Sequence, residues 1–299
     1  MKRSSYLLIL LLLASGTLFP QAGQTGLTFL KLGVGGRALG MGEAYTAIAN
    51  DPAATYYNPA ALALTDRAQL LLMHKQWIQD TKTEFFAATT SLDRFALALS
   101  LNSTSVDNIE IRDVPGPPIG TFSARNAAIG ASAAYVIDPT FSLGATVKYL
   151  YEKILVEQAS GYGIDLGASY MSPWDIRLAL VVSNLGSMGT LVTESSKLPT
   201  VVRLGTGYET AIEAIDGTLT AGADVVSFTG EQKTHLHLGA ELEYKKAFAV
   251  RAGYQTGYDA RGFSAGIGIA WELLRLDYAF VPFSYDLGTT HTFSLGIEL

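Results

Sequence analysis

From about residue 68 onwards, apolar and polar positions alternate with a period of two. In 273–281 (LLRLDYAFV), Leu274, Leu276, Tyr278 and Phe280 fall on one face, and Arg275, Asp277 and Ala279 on the other. The same alternation runs through 201–209, 234–244 (THLHLGAELEY), 261–271 (RGFSAGIGIAW) and 291–299 (HTFSLGIEL). A strict period of two marks strands with one apolar and one polar face. About fourteen such segments can be placed, an even number in the range of bacterial barrels. They centre on 68–78, 81–92, 94–104, 121–137, 141–155, 159–171, 175–186, 199–212, 215–226, 232–244, 247–256, 261–271, 273–283 and 290–299.

The connections alternate as well. Short turns are expected at 92–94, 138–140, 172–175, 215–217, 245–246 and 272. Between them lie mostly longer segments, such as 105–120, 187–198 and 284–289. Outer-membrane barrels have short periplasmic turns and longer extracellular loops. The pattern therefore predicts an all-β fold, a transmembrane antiparallel β-barrel of about 14 strands. A secreted soluble all-β protein is the alternative. In lipid every backbone N–H and C=O must be paired, so the sheet has to close. Charged side chains then face the lumen. Arg177, Arg203, Arg251 and Arg275 lie on the polar register, with Asp165, Glu209, Asp224, Glu241 and Asp277. Mixed signs predict paired ladders rather than an ion filter of one sign. Aromatics near strand ends, among them Phe141, Tyr170, Trp174, Tyr244, Phe248, Trp271 and Phe283, suit interfacial girdles.

Composition narrows the picture. Only 16% of residues are charged and the net charge is −6, so there is no basic stripe for nucleic acid. The chain has no cysteine, which removes disulfides and thiolate metal sites. Residues 1–22 read as a signal peptide: Lys2 and Arg3 precede the apolar run 6–14, and small residues follow. That run is short of the ~20 residues of a membrane helix. The expected location is the bacterial outer membrane, with outer-membrane lipid as the first partner.

Residues 23–66 do not alternate. They are expected to form a hatch inside the lumen, with a short helix near Met41–Ala49 and an irregular turn at Asn58–Pro59–Ala60. Pro52 and Pro59 remove backbone donors and favour extended conformations before them. Such backbone finds partners in a partly polar lumen that lipid denies it. Arg37 is the one strong cation between Lys31 and Arg67, and it should pin the hatch to a wall carboxylate. If the hatch binds a ligand, Leu27, Phe29, Leu30, Tyr56 and Tyr57 are candidates to line an apolar pocket against the wall.

The stretch FLKLGVGGRALGMGEAYTAIANDPAATYYNPAAL resembles the N-terminal signature of the PorV/PorQ family, within the FadL-like group of outer-membrane barrels. The matching residues are Gly35 or Gly36, Arg37, Gly40, Met41, Gly42, Ala44, Ala47, Asp51, Asn58, Pro59 and Ala60. The resemblance implies a lumenal hatch. It also implies a non-enzymatic role, either in protein secretion or surface assembly of the type IX kind, with secretion-system or cargo proteins as partners, or in uptake of long-chain fatty acids or other hydrophobic ligands. A diffusion porin is a third class, and a filled lumen argues against it. For the secretion reading, the Pro-rich loop 113–120 is the expected docking surface.

Other signals carry less. GVGGRA at 33–38 imitates a dinucleotide loop but lacks a βαβ unit. His235 and His237 share a strand face without a third ligand at metal spacing, so lumenal hydrogen bonding is expected of them. No nucleophile, base and orienting group converge. The expectation is no enzyme, no cofactor and no metal.

Overall fold

The structure, a computed structural model, describes residues 26–65, 67–191, 194–231 and 233–299. The expected signal peptide lies outside these residues. Fourteen antiparallel strands close into one barrel. They are β1 (Gln69–Gln76), β2 (Thr81–Leu92), β3 (Phe95–Ile111), β4 (Gly120–Asp138), β5 (Phe141–Ile154), β6 (Glu157–Met171) and β7 (Ile176–Met188). The circuit continues with β8 (Val201–Ile212), β9 (Gly217–Phe228), β10 (Thr234–Tyr244), β11 (Phe248–Gln255), β12 (Phe263–Trp271), β13 (Leu274–Pro282) and β14 (Thr289–Glu298). Closure is made by β1 on β14, from Gln69↔Glu298 to Gln76↔His291. A two-residue ribbon, Thr190–Leu191 with Glu194–Ser195, sits in the β7–β8 connection.

The alternation sorts as the period of two requires. Leu99, Ile129, Val147, Leu204, Val250 and Leu276 point outward and are exposed, while Asp165, Arg203, Asp224, Glu241, Arg251 and Asp277 point inward and are buried. Arg177 and Arg275 are half-buried and Glu209 is exposed near the turn end. The turn end has short connections throughout. The loop end is mostly longer, with a two-residue exception at 155–156. β3 runs seven residues past the segment read from the sequence. Its register shifts between Val106 and Ile109, where Asn108 takes φ 59°. That bulge breaks the alternation and hides the strand's upper part from a period-two reading. Phe283 is also placed differently. It turns into the mouth beside Trp77 (ring centroids 6.0 Å apart) rather than into an outer girdle.

The hatch fills the lumen. The Gly26 amide donates to the Lys197 carbonyl in the β7–β8 connection, at the loop end, and Leu299 returns to Ala68 at the turn end. Residues 26–65 therefore thread the barrel from one mouth to the other. The hatch comprises a 3-10 turn Thr28–Lys31, α1 (Gly36–Gly40), α2 (Ala54–Tyr57) and a 3-10 helix Pro59–Leu64. The helix expected near Met41–Ala49 is not there; that segment is a series of turns. Gly42 (φ 63°) and Glu43 (φ 59°) are both left-handed and end the helix. The Asn58–Pro59–Ala60 turn is a helix cap. The Asn58 Oδ1 accepts from the Ala60 amide at 3.0 Å, and Pro59 opens the 3-10 helix. Tyr45, Ile48, Tyr57 and Leu62 then pack on Leu71, Met73, Phe85 and the small Ala87, Ala96, Ala98 and Ala134 of β1–β4.

Candidate functional site

Arg37, on α1, meets Glu241, on β10. Its Nε lies 3.0 and 3.1 Å from the two carboxylate oxygens and its Nη2 lies 2.7 Å from Oε1. Its Nη1 donates to Asn50 Oδ1 at 2.5 Å. This is the wall carboxylate that a lone enclosed cation required, in the fork geometry that suits guanidinium. Glu241 also accepts from Arg251 at 2.5 Å and lies 3.4 Å from Arg275. Arg251 continues to Asp277 at 2.8 Å, and Arg275 to Glu243 at 3.2 Å. Glu241 and Arg251 face each other directly in the β10–β11 register.

The rest of the hatch motif is structural in its contacts. Asp51 accepts the Ala53 amide at 2.9 Å and the Tyr45 hydroxyl at 2.7 Å. Met41 is fully buried. Gly36 donates to Ser294 Oγ at 2.8 Å, and Gly40 and Gly42 lie against the β11–β12 wall. Asp224 on β9 takes the Tyr45 and Thr46 amides at 3.0 and 2.9 Å, a second wall anchor that the alternation could place inward but not pair.

The five expected pocket residues do not form one pocket. Leu27, Phe29 and Leu30 close an apolar cluster with Ala128, Leu150, Ala159, Met188 and Leu198. Tyr57 belongs to the deeper cluster, and the Tyr56 hydroxyl donates to the Leu30 carbonyl at 3.0 Å. Arg203 lies buried over both tyrosine rings, 5.9 and 5.6 Å from their centroids. Of the five, only Phe29 reaches the open cavity at the loop end.

That outer cavity has a volume of about 500 Å³. Phe29 and Leu32 of the hatch, Trp77, Val106, Tyr258 and Phe283 make its walls mainly apolar, and Lys31, Asn126 and Arg261 supply polar groups. Arg261 stacks on Tyr258 at 4.0 Å and pairs with Glu43 at 3.1 Å. Below it the space narrows to about 20 Å³, between Leu39, Glu43, Lys75 and Val281, too little for anything beyond a water. A polar inner cavity of about 280 Å³ opens at the turn end, lined by Arg37, Asp51, Arg275 and Asp277.

The rim of the outer cavity is tied to the hatch. Lys31 donates to Glu231 at 2.7 Å, and Glu231 also meets His235 Nε2 at 2.9 Å. His235 stacks on Tyr258 (centroids 3.9 Å apart), and His237 Nε2 lies 3.0 Å from the Tyr258 hydroxyl. The two histidines thus serve hydrogen bonding in the lumen. Partial burial alone would raise the Glu231 carboxyl, but the hydrogen bonds from Lys31 and His235 outweigh it and hold it below the usual glutamate range. A depressed carboxyl stabilises above its unfolded value and loses that contribution as pH falls through the folded one. Acid should therefore loosen the Thr28–Lys31 turn. Hydrogen exchange at the Leu30 and Leu32 amides, corrected for intrinsic rates, should quicken in acid and be already fast in E231Q at neutral pH.

The hatch with the first six strands carries a family signature. Residues 15–170 match the model of the uncharacterised protein family UPF0164. The chain belongs to this family. No curated protein matches the UPF0164 chain. Its fold is that of solved FadL-like outer-membrane barrels. The CymD monoaromatic hydrocarbon channel superposes with a TM-score of 0.62 at 13% identity, covering 92% of this chain and 99% of that one. The toluene transporter TodX of Pseudomonas putida gives 0.60 at 13% identity, covering 89% and 97%. A FadL homologue of Pseudomonas aeruginosa gives 0.56 at 15% identity, covering 86% and 95%. At these identities the likeness is one of fold. It carries the FadL-like part of the sequence resemblance and lends nothing to the PorV/PorQ branch or its secretion role.

Proposed function

We propose that this UPF0164 barrel is an uptake channel for small hydrophobic molecules, such as monoaromatic hydrocarbons or fatty acids, and is not an enzyme. The supporting observation is the outer cavity of about 500 Å³, with mainly apolar walls, set at the loop end above a closed hatch. A mostly apolar pocket of ~300–1,000 Å³ with a few polar groups suits a small ligand. The fold neighbours described as hydrocarbon channels point the same way.

Filling the cavity tests this. A260W should lower uptake of radiolabelled toluene by about tenfold, a loss of about 1.4 kcal/mol in binding. The variant should keep the parent's heat-modifiable gel mobility. Unchanged uptake in a folded A260W would remove the cavity from the route.

A second reading, secretion or surface assembly of the PorV/PorQ kind, draws on one observation. Val114 and Ile119 stand out at 71% and 68% exposure in the Pro-rich β3–β4 loop, as a docking surface would require. Deleting 113–119 should spare toluene uptake under the first reading and abolish surface display of exported cargo under the second.

A further inference from the structure

The hatch is held differently on its two sides. Against β5 to β12 its backbone lies directly on wall glycines. A Cβ at Gly144, Gly167, Gly207, Gly222, Gly239 or Gly253 would collide with hatch atoms. At those glycines no larger side chain can stand between wall and hatch, and between them Asp224 and Glu241 bind the hatch directly. Against β13, β14 and β1 the contact is of another kind. The segment Gly33–Val34–Gly35 has no regular structure. It is tied to the wall by three side-chain contacts: Lys75 Nζ to the Gly33 carbonyl at 2.7 Å, the Gly35 amide to Met73 Sδ at 3.0 Å, and the Gly36 amide to Ser294 Oγ at 2.8 Å.

The cavities follow this second side. The outer cavity and the narrow space below it share Leu32, Trp77, Arg261 and Phe283. The inner cavity resumes at Arg37, Asp277 and Gly296. Between them stands the strap, with Val34 buried in the cluster that includes Leu71 and Met73 and Gly36 against the Asp277 backbone and Ser294.

The geometry points to a passage along the β13–β14–β1 wall, joining the outer and inner cavities, with Gly33–Gly36 as its gate while the glycine-backed side of the hatch stays fixed. The assignment rests on the uptake reading for what passes, and not for where the barrel opens. Three separate side-chain contacts can be released without breaking a backbone ladder. Three of the four strap residues after Lys31–Leu32, Gly33, Gly35 and Gly36, are free of side chains. The GVGG run is therefore a hinge in a narrow seam rather than a phosphate loop.

Planar-bilayer recording tests the route without reference to cargo. K75M with S294A removes two anchors and should raise ionic conductance several-fold over the parent; M73A, which alters the third anchor, is the second release variant should the first fail to assemble. The chain has no cysteine, so an engineered disulfide forms alone. A Cβ at 207 lies 3.5 Å from the Ala47 Cβ, within disulfide reach, and what crowds it is the Ile48 Cγ2, a side-chain end that I48A removes. In an I48A background the oxidised A47C/G207C pair should leave the released conductance unchanged from its reduced form. A Cβ at 36 lies 3.2 Å from the Asp277 Cβ. The oxidised G36C/D277C pair should conduct several-fold less than its own reduced form, which lacks the Asp277 carboxylate equally. A glycine-side disulfide that abolishes conductance shows that the whole hatch leaves and overturns the route. Conductance that ignores both the anchor losses and the strap disulfide overturns it as well. Radiolabelled toluene uptake by cells carrying the same variants separates the two readings: conductance that obeys the strap without toluene uptake in any variant keeps the gate and removes the uptake function.

Discussion

Glu241→Gln unseats the hatch. The substitution leaves Arg37 and Arg251 buried and Arg275 part-buried around a neutral amide, with Asp277 and Glu243 as the carboxylates still in contact with the latter two. Removing one partner of a buried charge network costs about 3–5 kcal/mol, because the remaining charges stay desolvated. The expected result is a lower temperature for the heat-modified gel shift, together with raised ionic conductance. Arg37→Ala should raise conductance too but cost less stability, since Glu241 keeps Arg251 and Arg275 as partners. The E241Q/R37A double variant should be less impaired than the sum of the singles, because the two residues share one interaction. Full additivity, or an E241Q barrel as tight and as stable as the parent, would show that Arg37 does not pin the hatch.

Gly253→Val should have the next largest effect, through shape rather than charge. A Cβ at 253 meets the Gly42 amide and the Met41 carbonyl carbon, both backbone atoms that cannot turn aside. Overpacking of this kind costs about 1–3 kcal/mol. Here the strain has an outlet, because the barrel wall can form while the hatch fails to seat. The folded variant should run as a barrel on gels, conduct ions, and lose protection from proteases between Arg37 and Arg67. Gly120→Ala is the matched control: its nearest neighbour is the Ile111 Cδ1 at 3.8 Å, so it should behave as the parent. A G253V protein with a protected hatch would mean that the wall gives way instead.

These two sites also mark what the chain discloses by itself. The fourteen strands are legible because a two-sided wall forces a period of two, and the reading of β3 stops short where the bulge at Asn108 interrupts it. A partner for Arg37 could be inferred, since an enclosed cation requires an anion, but Glu241 lies 204 residues away and only the barrel's closure brings it round. The one helix expected in the hatch falls on turns because the left-handed Gly42 and Glu43 that follow α1 leave no mark on the apolar period. The candidate pocket residues are divided for a related reason. Leu27, Phe29 and Leu30 look like ligand residues in isolation, but they pack against Leu150, Met188 and Leu198, and of the three only Phe29 also lines the outer cavity. That cavity is completed by Trp77, Tyr258 and Phe283, which come from three separate connections at the loop end. No local pattern joins them.

The threaded course of residues 26–65 constrains how the molecule comes to exist. Gly26 is tied at one mouth and Thr65 lies toward the other, while the wall between them leaves no clearance along half its circumference. A finished cylinder could not admit its own folded filling. Either the edges of β1 and β14 meet last, around a hatch already laid against the growing sheet, or the hatch enters as an extended chain and takes its turns inside the wall.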